Sequence, residues 1–211
     1  MKKLAIIGAG DLGQQMAYHL ESDNQFKCVG FLDDFAPANL LVNEIPLLGK
    51  LKDANSLFSA QKFDGLIIGI GYNHIAFRAI LFEKLSKSIP FFSFVHSTSF
   101  IAKNVVIGNG TFIFPGCIID IKSRIGNNCV FYNGCNISHN NTIENHVFIS
   151  PGVQIGGFCN IGRNSHLGIG TIIKDNINLC SSTKTGAGAV VVKNTEEPGL
   201  YIGCPAKIKS Q

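Results

Sequence analysis

Residues 101–196 divide into sixteen consecutive six-residue blocks with no insertion or deletion. The blocks open at Ile101, Ile107, Ile113, Ile119, Ile125, Phe131, Ile137, Ile143, Ile149, Ile155, Ile161, Leu167, Ile173, Leu179, Thr185 and Val191, and only Thr185 is not large and apolar. A helix repeats every 3.6 residues and a strand every 2, so neither alone produces a period of six. A chain that turns a corner every six residues does. Three flat faces then close one coil, and each opener points into the lumen to stack on the coil below. The pattern predicts a left-handed parallel β-helix, a solenoid whose stacked coils bury a core that no single coil could bury.

Cysteine usage agrees with that lumen. Cys117, Cys129, Cys135 and Cys159 all fall at the fifth place of their blocks, a place shared by Val105, Thr111, Ser123, Val147, Val153, Ser165, Thr171, Thr183 and Ala189. Cysteine in such company acts as a small space-filling residue. No spacing of Cys and His suggests a metal site, and reduced thiols point to a cytoplasmic location. Charge excludes other classes. The net charge is +4, with six basic residues against three acidic ones over residues 163–211, too sparse for a nucleic-acid surface but suited to one small anionic ligand. The short apolar run after Lys2 and Lys3 ends at Gly8, which argues against a secretory leader, and no apolar stretch is long enough to span a bilayer.

The first half has a different grammar. Short apolar runs at Lys3–Gly8, Cys28–Leu32, Leu66–Ile70 and Phe91–Val95 read as strands. Helical spacing runs from Leu12 to Leu20 and from about Asn73 to Leu85. Alternating strands and helices predict an α/β Rossmann-like domain over residues 1–97, followed by the β-helix at 98–197 and a capping tail at 198–211. The first turn carries Gly8, Gly10, Asp11 and Gly13, a pattern that lets backbone N–H groups approach phosphate at a helix N-terminus. Asp33 and Asp34 end the second strand, where an acid can take ribose hydroxyls. A second loop follows the third strand, at Gly69, Gly71, Tyr72 and Asn73. A full dinucleotide fold needs two mononucleotide halves, and this domain has room for about one. A nucleoside diphosphate attached to something else fits better than NAD.

Six histidines are available as a base near neutral pH. His19 and His74 lie in or beside helices, His96 lies at the seam, and His166 closes a block where a solenoid corner is expected. His139 and His146 occupy adjacent blocks. Their pattern alone does not select among them.

A Rossmann-like half, hexapeptide repeats and a terminal Gly203-Cys204-Pro205-Ala206-Lys207 together resemble the bacterial sugar O-/N-acyltransferases, over nearly the whole chain. That family includes the N-acetyltransferases of nucleotide-linked 4-amino-4,6-dideoxy sugars of the bacillosamine-pathway type, with the sialic-acid O-acetyltransferases as relatives. The resemblance implies an acetyl-CoA-dependent N-acetyltransferase of surface-glycan (O-antigen) biosynthesis, acting on a UDP- or dTDP-linked amino sugar as a homotrimer. It places the general base on His139, next to Asn140, and the thioester carbonyl on the Gly157 N–H. The nucleotide sugar falls to Gly8, Gly10, Asp11, Gly13, Asp33, Asp34, Gly69, Gly71, Tyr72 and Asn73. CoA falls to Gly157, Gly168, Gly170, Gly186, Ala187 and Gly188, with Lys193 and Lys207 near its phosphates. The chain departs from the family at Asn140, where an acid is usual, at Phe148 in place of a second histidine, and at Leu12 in place of a histidine in the first loop. The competing readings are a sugar O-acetyltransferase, a non-catalytic nucleotide-sugar scaffold and a nicotinamide oxidoreductase.

Overall fold

Runs of four to seven apolar residues are too short for stable helices, and in the first unit they become strands. The computed structural model describes residues 1–21 and 24–209. It divides into Met1–Ser93 and Phe94–Gln211.

In the first unit, β1 (Lys2–Ile7), β2 (Phe26–Leu32), β3 (Leu41–Val42), β4 (Ile45–Gly49) and β5 (Gly65–Ile68) form one sheet in the order β3-β4-β2-β1-β5. β1 runs parallel to both β2 and β5, so the strand order reverses at β1. In open α/β sheets that reversal leaves a crevice at the carboxyl ends of the strands. Helix α1 (Asp11–Glu21) buries Leu12, Gly13, Met16, Ala17 and Leu20, a single face at helical spacing. A short α2 (Ala54–Ser59) and α3 (Ile75–Leu85) complete the unit. One face of the sheet packs into a cluster of Ala5, Ile7, Leu32, Phe63, Leu66, Ile68, Leu81 and Phe82. Each large side chain buried this way contributes about 1.5–3 kcal/mol.

Three sequence expectations are corrected here. The third strand stops at Ile68, because Gly69 turns away to pack on Gly13. The helix expected from Asn73 starts at Ile75, after a 3₁₀ turn at Tyr72–His74. Phe91–Val95 is not one strand of the first sheet. Phe91 makes an isolated bridge to Leu66, whereas Phe94–Val95 pairs with Phe112–Ile113 in the solenoid.

The solenoid is built from strands of two residues, each made of the last residue of one block and the first of the next. Asn136–Ile137 lies between Ile118–Ile119 and Gln154–Ile155 in parallel register, so three blocks make one coil. Three sheets result, and their strands recur every third block in a left-handed β-helix. From Ile113 onward every block opener is buried, including Thr185. From Gly110 to Gly188 the fourth place of the blocks takes the left-handed conformation, with φ of 60° at Asn140, 59° at Phe158 and 70° at Gly152. This explains the glycines and asparagines that recur there, since both tolerate positive φ.

The fifth place does more than fill space. Where it is cysteine, serine or threonine, the side chain can donate to a backbone carbonyl of the next coil. Cys117 Sγ reaches Tyr132 O at 3.1 Å, Cys129 Sγ reaches Glu144 O at 3.2 Å, and Cys135 Sγ reaches Ser150 O at 3.2 Å. Ser123 Oγ reaches Ser138 O at 3.0 Å, and Thr111 Oγ1 reaches Gly126 O at 2.9 Å. A small side chain carrying one proton satisfies one inward carbonyl per turn, and the cysteine thiols serve as that donor.

After the last block, Gly199–Ile202 extends the third sheet beside Thr183–Thr185, and Lys207–Ile208 folds back antiparallel to it. Ala206 packs against the lumen cluster. Of the tail expected to cap the solenoid, residues 210–211 lie outside the described residues. Among the described residues no helix is long and apolar enough to cross a membrane.

Candidate active site

The hexad ruler sets His139 and Gly157 at the same place in consecutive coils, and at that corner they meet. A Cβ added to Gly157 would stand 2.8 Å from His139 Cε1, 3.1 Å from Nε2 and 3.2 Å from Nδ1. The imidazole therefore lies directly over the glycine, and only glycine leaves it that space. The ring of Phe158 meets the imidazole edge-on, with centroids 5.1 Å apart at 84°. His139 Nδ1 lies 3.1 Å from Asn140 Oδ1. An amide oxygen can only accept, so Nδ1 carries the hydrogen and Nε2 is left as the basic atom. Asn140 thus fixes the tautomer without a charge, and its positive φ is one that asparagine accepts readily.

Gly157 contributes a donor. Among the described residues its N–H has no hydrogen-bond partner. Some amides at this place of other blocks are taken up by side chains: Asn109 and Asn127 donate to asparagine oxygens of the next coil, and Arg163 donates to Glu144, whereas those of His139 and Asp175, on the same edge as Gly157, have no partner among the described residues. An imidazole with one basic nitrogen, beside an amide with no partner among the described residues, can move a proton and stabilise a developing oxyanion.

Three of the other histidines are engaged elsewhere. His146 is buried at a left-handed corner, with Nδ1 3.0 Å from Asn128 Nδ2. His96 Nδ1 lies 2.9 Å from Thr98 Oγ1. His166 is not at a corner, as its block position suggested. It lies in the strand His166–Leu167, with Nε2 3.0 Å from Ser150 Oγ. Burial, assisted by the Lys184 ammonium, lowers its pKa to about 4.

In the first unit, the predicted glycines divide into two sets. Gly8, Gly13 and Gly69 are packed against one another. A Cβ on Gly13 would fall 2.0 Å from Gly8 O, and one on Gly69 would fall 2.6 Å from Gly13 Cα. Gly10 and Gly71 have nothing within 4 Å of that position, so no internal packing demands a glycine at either. They border open space at the strand-order reversal, where a ligand backbone or phosphate can approach.

Asp33 is largely committed to holding the loop. Its Oδ2 accepts from Ala9 N at 2.8 Å, and its Oδ1 accepts from Phe35 N at 2.8 Å and Ala36 N at 3.0 Å. Partial burial opposes its ionisation, but these three amides and nearby Lys50 prevail and hold its carboxyl below the usual range. Asp34 is exposed and accepts from Leu51 N at 2.9 Å through one carboxylate oxygen. Asp11 is exposed in the first turn of α1, and Tyr72 and Asn73 are exposed in the 3₁₀ turn.

Of the residues assigned to CoA, only Gly157 lies against His139. Gly170 and Gly188 lie on a different edge of the solenoid, in line with Gly116, Gly134 and Gly152, all with φ between 64° and 71°. Gly168 and Gly186 are packed: a Cβ would meet Thr185 O at 2.5 Å on the first and Ile202 Cγ2 at 2.8 Å on the second. Ala187, Lys193 and Lys207 are exposed.

Sequence reasoning missed two residues at the His139 corner. Phe158 is the only phenylalanine at a fourth place among the sixteen blocks, and Asn141 the only asparagine at a fifth. Phe158 is 55% exposed, although it is large and apolar. Each breaks the pattern of its place, and that was the legible signal.

Residues 3–85 match the family described as the PglD N-terminal domain. The whole chain is similar to a mutant of the GDP-perosamine N-acetyl transferase from Caulobacter crescentus, solved in complex with CoA and GDP-perosamine. The TM-score is 0.93 at 23% identity, over 100% of this chain and 98% of that one. It is also similar to the acetyltransferase domain of PglB from Neisseria gonorrhoeae in complex with acetyl coenzyme A, with a TM-score of 0.87 at 25% identity over 99% of both chains. WeeI from Acinetobacter baumannii matches with a TM-score of 0.81 at 23% identity, over 99% of this chain and 100% of that one.

Proposed function

We propose that this chain, whose first unit belongs to the PglD N-terminal domain family and whose solenoid has the fold of sugar N-acetyltransferases, is an acetyl-CoA-dependent N-acetyltransferase acting on a nucleotide-linked amino sugar. The observation that carries this reading is the His139 imidazole lying over Gly157, whose N–H has no partner among the described residues.

The amine nitrogen of the sugar attacks the thioester carbonyl carbon while His139 Nε2 takes a proton from it. The Gly157 N–H donates to the resulting oxyanion, a contribution of about 3 kcal/mol for a donor of this kind. The tetrahedral intermediate collapses with cleavage of the C–S bond, and the CoA thiolate leaves with the proton from the imidazolium. The products are the N-acetyl sugar and free CoA. Holding the two substrates in reacting geometry supplies about 7–11 kcal/mol more. The thiolate is a good leaving group, so no covalent enzyme intermediate is needed. The cysteines that flank His139 in sequence, Cys135 and Cys159, are buried in the lumen.

On this reading the nucleotide sugar uses the open face over Gly10 and Gly71, with Asp34 at the ribose. The glycine edge offers CoA a strip without side chains, with Lys193 and Lys207 for its phosphates. The working form is a homotrimer in the cytoplasm, serving surface-glycan synthesis. The test is thiol release from acetyl-CoA with a panel of UDP-, dTDP- and GDP-linked amino sugars. Turnover with at least one of them, lost in His139→Ala, is the expected result. No turnover with any of them, or near-normal turnover in His139→Ala, overturns the proposal.

A further inference from the structure

Asn141 occupies a place where the other blocks carry Val, Thr, Cys, Ser, Ala or Ile. It is 1% exposed, a polar side chain inside an otherwise narrow lumen. A buried carboxamide is costly unless its hydrogen bonds are made, and here they are. Asn141 Nδ2 donates to Ser138 O at 2.6 Å and to Gly156 O at 2.9 Å, and Asn141 Oδ1 accepts from Cys159 N at 2.7 Å.

The two carbonyls matter because of what adjoins them. Ser138 is the residue before His139. The carbonyl of Gly156 belongs to the same peptide unit as the N–H of Gly157. That peptide is trans, so its C=O and N–H point in opposite directions. A hydrogen bond that draws Gly156 O toward the lumen turns the Gly157 N–H outward. It also polarises the peptide, which strengthens that N–H as a donor. Serine, threonine or cysteine at this place has one proton and reaches one carbonyl. The two hydrogens of an amide nitrogen reach both. The coil therefore has what a stable turn requires with Ser or Cys, and asparagine adds a tie between the two corners.

We propose that Asn141 is a positioning residue. From inside the lumen it locks the Gly156–Gly157 peptide so that its N–H faces the thioester carbonyl, and it holds that peptide in register with the His139 turn. The inference rests on the reading of Gly157 as the oxyanion donor.

The experiment compares wild type with Asn141→Val, with Asn141→Ala as the second variant should the first be insoluble; both residues hold this place in other blocks, and neither can donate to Gly156 O. The readouts are kcat, KM for acetyl-CoA, melting temperature and the infrared carbonyl stretch of bound acetyl-CoA labelled with carbon-13 in the acetyl group. The expected result is a fall in kcat of about tenfold, smaller than the loss from deleting a donor outright. KM should change little, and the carbonyl band should move from its wild-type position toward that of free acetyl-CoA. Ser165→Ala removes the equivalent bond to Cys180 O in another coil, and it should shift the melting temperature without moving kcat or the band. A kcat within twofold of wild type, or a lower kcat with an unmoved band, overturns the inference. His139→Ala, run alongside, separates this from the parent reading: it should abolish turnover and leave the band in place. If wild type turns over no amino sugar, the proposed function fails, and the band in Asn141→Val still decides whether this residue orients the donor.

Discussion

Gly157→Ala is the sharpest single test of the site, because the structure separates its effect on stability from its effect on catalysis. Gly157 is not among the residues with positive φ, so alanine is accepted by the backbone without strain. The conflict is entirely with one side chain, where the new methyl would sit 2.8–3.2 Å from three atoms of the His139 ring. Relief to ordinary contact needs about 0.5–1 Å, and the imidazole, half-exposed at the end of a rotatable side chain, yields before the backbone of a stacked coil does. The ring then gives up its hydrogen bond to Asn140 and part of its contact with Phe158, a loss of about 1–2 kcal/mol in all. A displacement of that size in a catalytic base lowers turnover by about a hundredfold. The expected outcome is a folded protein that melts within several degrees of wild type and releases CoA thiol about a hundred times more slowly under saturating acetyl-CoA. A variant with near-normal kcat would show that the position of the imidazole over Gly157 is irrelevant to the chemistry. A variant that fails to fold would show that the methyl is accommodated by the coil rather than by the ring.

Three further outcomes are expected. Phe158 holds φ of 59°, a conformation that costs a bulky residue about 1–3 kcal/mol, and its ring is half exposed, so Phe158→Asn should raise the unfolding free energy by about 1 kcal/mol while lowering kcat; chemical denaturation and thiol release measured on the same sample check both. His166 is neutral in the folded protein down to about pH 4, whereas in the unfolded chain it takes a proton near 6.5, so acidification from about pH 6.5 to pH 4 favours unfolding. After discounting for partial exposure, that loss is about 2 kcal/mol at most, and His166→Gln should flatten this part of the stability–pH curve relative to wild type. Asp33→Ala, which frees three backbone amides of the first glycine loop, should lower the melting temperature and raise KM for the nucleotide sugar, whereas Asp34→Ala should raise that KM with little change in melting.

The solenoid was legible because its rule is local and repeats. A lumen lined by residues every six positions admits only large apolar openers and small fifth places, so Ile137, Cys135 and Val153 could be put inside from their spacing alone. The same ruler put His139 and Gly157 one coil apart. The first half was legible in outline, but its edges were not. Whether an apolar run such as Phe91–Val95 joins one sheet or another depends on which partner is near, and the run itself carries no mark of that. The glycine motif did not announce that Gly8 and Gly13 serve internal packing while Gly10 faces open space, nor that Asp33 spends its carboxylate on its own loop.

Sequence by itself determined the fold of the second unit, the coil length, the burial of the four fifth-place cysteines and the separation of His139 and Gly157 by one coil. Tertiary structure alone decided which groups around that pair can act. The orientation of a peptide, the tautomer of an imidazole and the partner of a buried amide depend on distances between residues one coil apart. Asn141 shows the difference: in the sequence it is one polar exception at a small-residue place, and in the fold its two amide hydrogens join the carbonyls behind His139 and Gly157.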